Sequence, residues 1–267
     1  MELQIFGPGP SVPVVGQGTW QIVPGETVVR TLQRGIDLGM THIDTAELYT
    51  GAEELVGKAI RGRREEIFLV SKVKPSNASR RGVIAACERS LKKLGTDYLD
   101  VFLLHWNEGT HTIADTMAGM RDLVWQGKIR HVGVSNFAVA EMEEAVGALD
   151  DVQLACNQVL YHLGDRGIED EVIPWCESQG VAVVGYSPFL GLDSATPGSA
   201  QHAALTAVAT RTGRTIRQVV LRYLTRCSSV FAIPKASTLA HVEENAEGQG
   251  FDLSAEDVAA IEAAFPR

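Results

Sequence analysis

The sequence predicts an α/β protein whose parallel strands close into a single (β/α)8 TIM barrel behind an N-terminal β-hairpin plug. Three observations predict it. The length of 267 residues suits one such barrel, whose usual size is about 250 residues. Short apolar runs alternate with stretches of helical periodicity along the whole chain, which specifies a parallel sheet covered by helices. No linker, low-complexity tract or Pro/Ser-rich boundary interrupts the alternation, so residues 1–267 read as one domain, and closure is favoured over an open doubly wound sheet.

Taken in order, Leu3–Phe6 and Ser11–Val14 are extended runs flanking the turn Gly7-Pro8-Gly9-Pro10, the pattern of a hairpin. Eight strand-like segments follow: Val14–Gly18, Thr41–Asp44, Ile67–Lys72, Tyr98–His105, His131–Ser135, Gln153–Gln158, Val181–Tyr186 and Val230–Pro234. Most are nearly continuous apolar runs, as strands buried on both faces require. Between them, stretches such as Val28–Ile36 and Val83–Leu91 carry a 3.6-residue apolar period, and a last helix covers Ala255–Phe265.

Composition narrows the partners. A formal net charge of −9 opposes a nucleic-acid or anionic-membrane surface, because both reward clustered Lys and Arg. A small-molecule ligand is expected instead. Cys87, Cys156, Cys176 and Cys227 are scattered and form no C-x-x-C pair, so neither a disulfide framework nor a zinc ribbon is indicated and no metal is expected. With no signal-like N-terminus and no apolar run of about 18 residues, the chain reads as a cytoplasmic protein; its oligomeric state is left open, a monomer being compatible.

In a (β/α)8 barrel the active site lies at the C-terminal ends of the strands, so polar residues closing apolar runs carry weight. Asp44, Lys72, His105 and Ser135-Asn136 close four such runs, and Gln158, Tyr186 and Lys235 close three later ones. Each has a plainer reading: Asp44 as a helix N-cap, Lys72 as a solvated strand end, His105 as a core histidine, Tyr49 as a loop aromatic. Burying them together without a task is costly, however. Tyrosine, with a reference pKa of about 10, donates a proton poorly near neutrality unless a nearby ammonium such as that of Lys72 lowers it. Asp44 would hold Lys72 charged, and a neutral His105 would donate to a carbonyl oxygen beside the Tyr49 hydroxyl. The set suits protonation of an oxygen that is gaining negative charge.

The segments Gly39–Tyr49, Glu53–Gly57, Leu103–Trp106, Gly127–Phe137, Asn157-Gln158, Gly185–Pro188 and Ile233–Lys235 resemble, in order, the signatures of the aldo-keto reductases, nearest to short bacterial members that reduce small aldehydes and ketoaldehydes. The resemblance implies transfer of a hydride from NAD(P)H to a small aldehyde or ketone, with Tyr49 as general acid, Lys72 and Asp44 as its tuning pair, and His105 orienting the carbonyl. It implies that Ser135, Asn136 and Gln158 hold the carboxamide and that Tyr186 stacks on the nicotinamide. Ser187, Pro188, Leu190 and Gly191 would follow the pyrophosphate. Lys235, Ser237, His241, Glu244 and Asn245 would surround the adenosine, and Gly18, Thr19, Trp20, Asp44 and Ile233 complete the cofactor set. Trp20 and Trp106, with Tyr49 and His105, would line the substrate pocket, although both tryptophans also read as packing residues.

Two departures from the family pattern matter. His241 stands where the family usually has an arginine at the adenosine end, and histidine offers neither the fork nor the fixed charge of a guanidinium. NADP(H) is then expected as the favoured cofactor, with NAD(H) also used. The long C-terminal loop of larger members is missing, which predicts an open pocket. No G-x-G-x-x-G follows a strand, so a Rossmann domain is not expected. Two other classes compete: a nicotinamide-binding regulatory subunit without turnover, and an isomerase or aldolase using Lys72 as a Schiff-base nucleophile, which would need a depressed pKa that Asp44 opposes.

Overall fold

A computed structural model describes residues 1–23 and 25–267. The hairpin is present as β1 (Leu3–Ile5) and β2 (Ser11–Pro13), antiparallel with Gln4 opposite Val12. Its turn drives Phe6 into the N-terminal mouth of the barrel, where the ring lies 4.8 Å from Phe68, 5.0 Å from Phe231 and 5.6 Å from His42. Gly7 sits at φ +52°, and a Cβ there would meet the Ala155 carbonyl oxygen at 2.3 Å. Only glycine gives that turn both the backbone angle and the close approach.

The barrel strands are β3 (Gln17–Gly18), β4 (His42–Asp44), β5 (Phe68–Val73), β6 (Leu99–Leu104), β7 (Ile129–Ser135), β8 (Leu154–Leu160), β9 (Ala182–Tyr186) and β10 (Val230–Ala232), each parallel to its sequence neighbour. The expected strand Val14–Gly18 is divided between two partners. Gln17–Gly18 pairs with β4, whereas Val14–Gly16 bonds to Ala232 of β10, through Ala232 N to Val14 O at 2.9 Å and Gly16 N to Ala232 O at 2.8 Å. That seam closes the barrel. A Cβ on Gly18 would stand 2.5 Å from the Ile233 carbonyl oxygen, so the seam depends on glycine there.

Ten α-helices surround the strands: α1 (Glu26–Asp37), α2 (Ala52–Ala59), α3 (Arg80–Leu94), α4 (Ile113–Trp125), α5 (Val139–Leu149), α6 (Val172–Gln179), α7 (Ala200–Thr212), α8 (Ile216–Leu224), α9 (Leu239–Ala246) and α10 (Ala255–Ala264) among the described residues. Local chemistry fixes several ends. Ser79 accepts from Gly82 N at the start of α3, whose end is Gly95 in the left-handed region, and Thr215 with Gln218 forms a capping box on α8.

Alternate residues of β5, β6 and β9 serve two cores. Ile43, Leu69, Phe102, Leu104 and Val183 pack outward against the helices. Phe68 and Val70 of β5, Val101 and Leu103 of β6, and Ala182 and Val184 of β9 fill the barrel interior. Continuing the period of 2, the next inward positions are Lys72, His105 and Tyr186, so the pleat that builds the core also aims these groups at the C-terminal mouth. The four cysteines are free thiols, and among the described residues no helix is long and apolar enough to cross a membrane.

Candidate active site

A pocket of about 310 Å³ opens at the C-terminal mouth. Behind the pocket lining Lys72 of β5 is fully buried, with Nζ 2.6 Å from Asp44 Oδ1 and donating to the Thr45 carbonyl at 2.9 Å. The second Asp44 oxygen accepts from Gln158 Nε2 at 2.7 Å, and Asp44 is 1% exposed. A charge pair this deep is tolerated because hydrogen bonds satisfy both partners. The N-cap reading of Asp44 is thereby displaced: α2 begins after Gly51, and the Asp44 carboxylate is spent on Lys72 and Gln158. Burial penalises the Lys72 ammonium, but Asp44, then Tyr49, outweigh it and hold its pKa above the ordinary value. A lysine so held is not a Schiff-base nucleophile.

The half-buried Tyr49 ring has its centroid 5.0 Å from Lys72 Nζ and 5.5 Å from the His105 ring, edge to face. Its pKa departs from the expectation of a lowered value. Burial raises it, and the opposing pull of Lys72 does not outweigh that, so the hydroxyl stays protonated. His105 is buried, and desolvation, then Lys72, push its pKa down to about 3. It is therefore neutral near pH 7.

The loop carrying Tyr49 is tied down by a residue the sequence reading passed over. Glu47 Oε1 accepts from Asn77 Nδ2 at 2.7 Å and Arg89 Nη2 at 2.8 Å, and Oε2 from Lys74 N at 3.2 Å. Leu48, half exposed, lines the pocket and was also missed. An apolar side chain in a short polar loop was the available signal.

Most of the expected cofactor and substrate residues converge here. Gly18, Thr19, Trp20, Ser135, Asn136, Gln158, Tyr186, Ser187, Ile233 and Lys235 line the same pocket as Asp44, Tyr49, His105 and Trp106. Ser135 Oγ donates to the Gln158 carbonyl at 2.8 Å, and Tyr186 Oη donates to Asn136 Oδ1 at 2.9 Å. Asn136 and Ser187 adopt φ of +62° and +54°, a conformation costly for residues other than glycine and concentrated at functional sites. Trp20 and Trp106 are 51% and 43% exposed and both line the pocket, with the Trp20 ring 5.2 Å from that of Tyr49. Pro188, Leu190 and Gly191, on the loop after β9, and Ser237, His241, Glu244 and Asn245, on or before α9, lie outside the pocket lining. Asn245 is 1% exposed with neither amide atom partnered.

The sequence profile described as "Aldo/keto reductase family" matches residues 14–265. The chain is 46% identical over 264 residues to methylglyoxal reductase YeaE of Escherichia coli (strain K12), covering 96% of this chain and 92% of that protein. It is 33% identical over 261 residues to glyoxal reductase of Bacillus subtilis (strain 168), covering 96% and 90%. Among solved structures, an aldo/keto reductase from Klebsiella pneumoniae in complex with NADP and acetate superposes with a TM-score of 0.89 at 41% identity, covering 98% of this chain and 94% of that one.

Proposed function

Because this chain belongs to the aldo/keto reductase family, we propose that it reduces the carbonyl of small aldehydes, ketoaldehydes foremost, with NADPH as hydride donor. The observation that carries the reading is the buried Lys72–Asp44 pair beneath Tyr49 and His105 on the pocket floor. The relatives named for methylglyoxal and glyoxal and the bound NADP of the Klebsiella structure support the substrate and cofactor class.

The residues present fit a nicotinamide dinucleotide. Ser135, Asn136, Gln158 and Tyr186 offer donors, acceptors and a ring face at the pocket end, while the unpartnered Asn245 amide offers a donor and an acceptor of the kind that pairs with an adenine edge. Lys235 and the Ser187–Gly191 loop would flank the phosphates between them. Bound there, the reduced nicotinamide supplies the hydride to the carbonyl carbon.

This chain's own residues manage the oxygen. Neutral His105 donates a hydrogen bond to the carbonyl oxygen and fixes its direction. Tyr49 delivers its proton as that oxygen gains charge. Lys72 holds a positive charge behind the phenol, stabilising the tyrosinate left behind, and Asp44 keeps that charge in place. Trp20, Leu48 and Trp106 give the mouth an apolar rim suited to small, weakly polar carbonyl compounds.

Tyr49→Phe tests the reading, since it deletes the proton donor alone. Methylglyoxal-dependent NADPH oxidation should fall roughly 10²–10⁴-fold, the usual worth of general acid catalysis, while NADPH still quenches the protein's fluorescence at unchanged concentration. A variant keeping half the wild-type turnover would refute the assignment.

A further inference from the structure

The sequence leaves the adenosine end without its usual guanidinium, because position 241 is histidine. The fold brings another to that end. Arg217 lies in the first turn of α8, and its Cζ stands 3.6 Å from the centroid of the Phe189 ring. Phe189 belongs to the loop Ser187–Gly191, on one side of the proposed cofactor path. On the other side, Arg217 Nε lies 3.4 Å from Glu244 Oε2 of α9. Glu244 is three residues beyond His241, hence on the same helical face one turn along.

Three features make this arginine anomalous as a structural residue. A cation in the first turn of a helix opposes the macrodipole, whose positive end lies there. Its Nε is shielded from solvent yet makes no hydrogen bond. Its carboxylate partner is a partly exposed side chain, with 32% and 22% of the two side chains accessible, and such pairs contribute little. The guanidinium is therefore held flat by an aromatic face, desolvated on that side, and incompletely satisfied. That is a preorganised state for a forked oxyanion contact. Lys235, the other cation nearby, is an exposed point charge whose Nζ donates to the Gln21 carbonyl at 3.2 Å.

We propose that Arg217 is the group that recognises the 2′-phosphate of NADP(H) in this protein, replacing the arginine absent from position 241 and bridging the β9 loop to α9 over the adenosine. The proposal rests on the cofactor reading above. A phosphate dianion displaces the weak Glu244 contact, and the helix α8 N-terminus that disfavours a lone arginine then adds its own attraction for the anion. Preference for NADPH over NADH follows from Arg217, not from His241.

The test measures dissociation constants for NADPH and NADH by fluorescence quenching in the wild type, Arg217→Ala and Arg217→Lys, with thermal unfolding of each protein without cofactor as a check on the fold. Arg217→Ala should weaken NADPH roughly tenfold to a hundredfold, the range for losing a hydrogen bond to a charged group, and leave NADH nearly unchanged. Arg217→Lys, which keeps the charge and the stem on Phe189 but not the fork, should fall between; it also serves if the alanine variant unfolds. Equal losses for both cofactors, or no loss for NADPH, would overturn the assignment of Arg217 and leave the reductase reading standing. A wild type that binds neither cofactor would overturn both.

Discussion

Removing the Lys72 side chain would leave the Asp44 carboxylate in the barrel interior with only the Gln158 amide for company. Breaking a buried pair from one side costs about 3–5 kcal/mol, so Lys72→Met should lower the urea midpoint strongly and abolish most turnover. Asp44→Asn combined with Lys72→Met removes both charges and should recover much of the stability but none of the activity. A double variant whose loss equals the sum of the two single losses would show that the charges are not coupled. Residual turnover carries a second sign. Lys72 pulls the Tyr49 pKa down against burial, and the proton donor fails as pH rises through that pKa. The alkaline fall of activity should therefore move to higher pH in Lys72→Met, and an unchanged profile would remove Lys72 from the tuning role. These residues were legible because titratable groups close otherwise apolar runs. Glu47 and Arg217 were not, since each matters through partners more than 25 positions away, Asn77 at 30 and Glu244 at 27.

At the scale of elements, the order of strands and helices was readable from periodicity, whereas the ends were set by tertiary partners. The strand expected to stop at Gln158 runs on to Leu160 because its ladder with β9 continues to Tyr186. The one expected to reach Pro234 stops at Ala232: Ile233 N still donates to the Gly185 carbonyl at 3.1 Å, and Pro234, with no N–H, cannot carry the ladder further. The division of Val14–Gly18 between β10 and β4 is a consequence of closure that no local pattern encodes. The hairpin is a different case, since its two runs and Gly/Pro turn announced it. Phe6 is its anchor, fully buried against Phe68 and Phe231 at the end of the barrel opposite the pocket. Phe6→Ala should cost about 3–5 kcal/mol through lost burial and the cavity left behind, measurable as a lower urea midpoint. The kcat of the folded protein should stay close to wild type. A selective loss of kcat with unchanged stability would mean that the plug communicates with the site.

For the molecule as a whole, burial of neutral histidines sets the response to acid. His42 lies wholly inside the barrel among Phe6, Phe68 and Phe231, with neither ring nitrogen hydrogen-bonded. Desolvation, then Lys72, hold its pKa at about 3, and His105 is lowered to the same level. His131 and His162 are shifted down as well, chiefly by burial. In the unfolded chain these groups charge near the reference value of about 6.5. Between that value and about 3 the unfolded state therefore binds protons that the folded state refuses, and stability falls as pH falls through the window. His42 and His105 each contribute about 1.4 kcal/mol per pH unit there. His42→Leu removes one of them from an apolar setting of similar volume, and it should flatten the dependence of unfolding free energy on pH between about 6 and 4 by roughly that amount. Urea titrations across the range check it, with His105→Leu as a second variant at the pocket floor. Parallel curves for wild type and His42→Leu would mean that the interior histidine is protonated in the folded barrel, and Lys72 would then face a second buried cation across the same core.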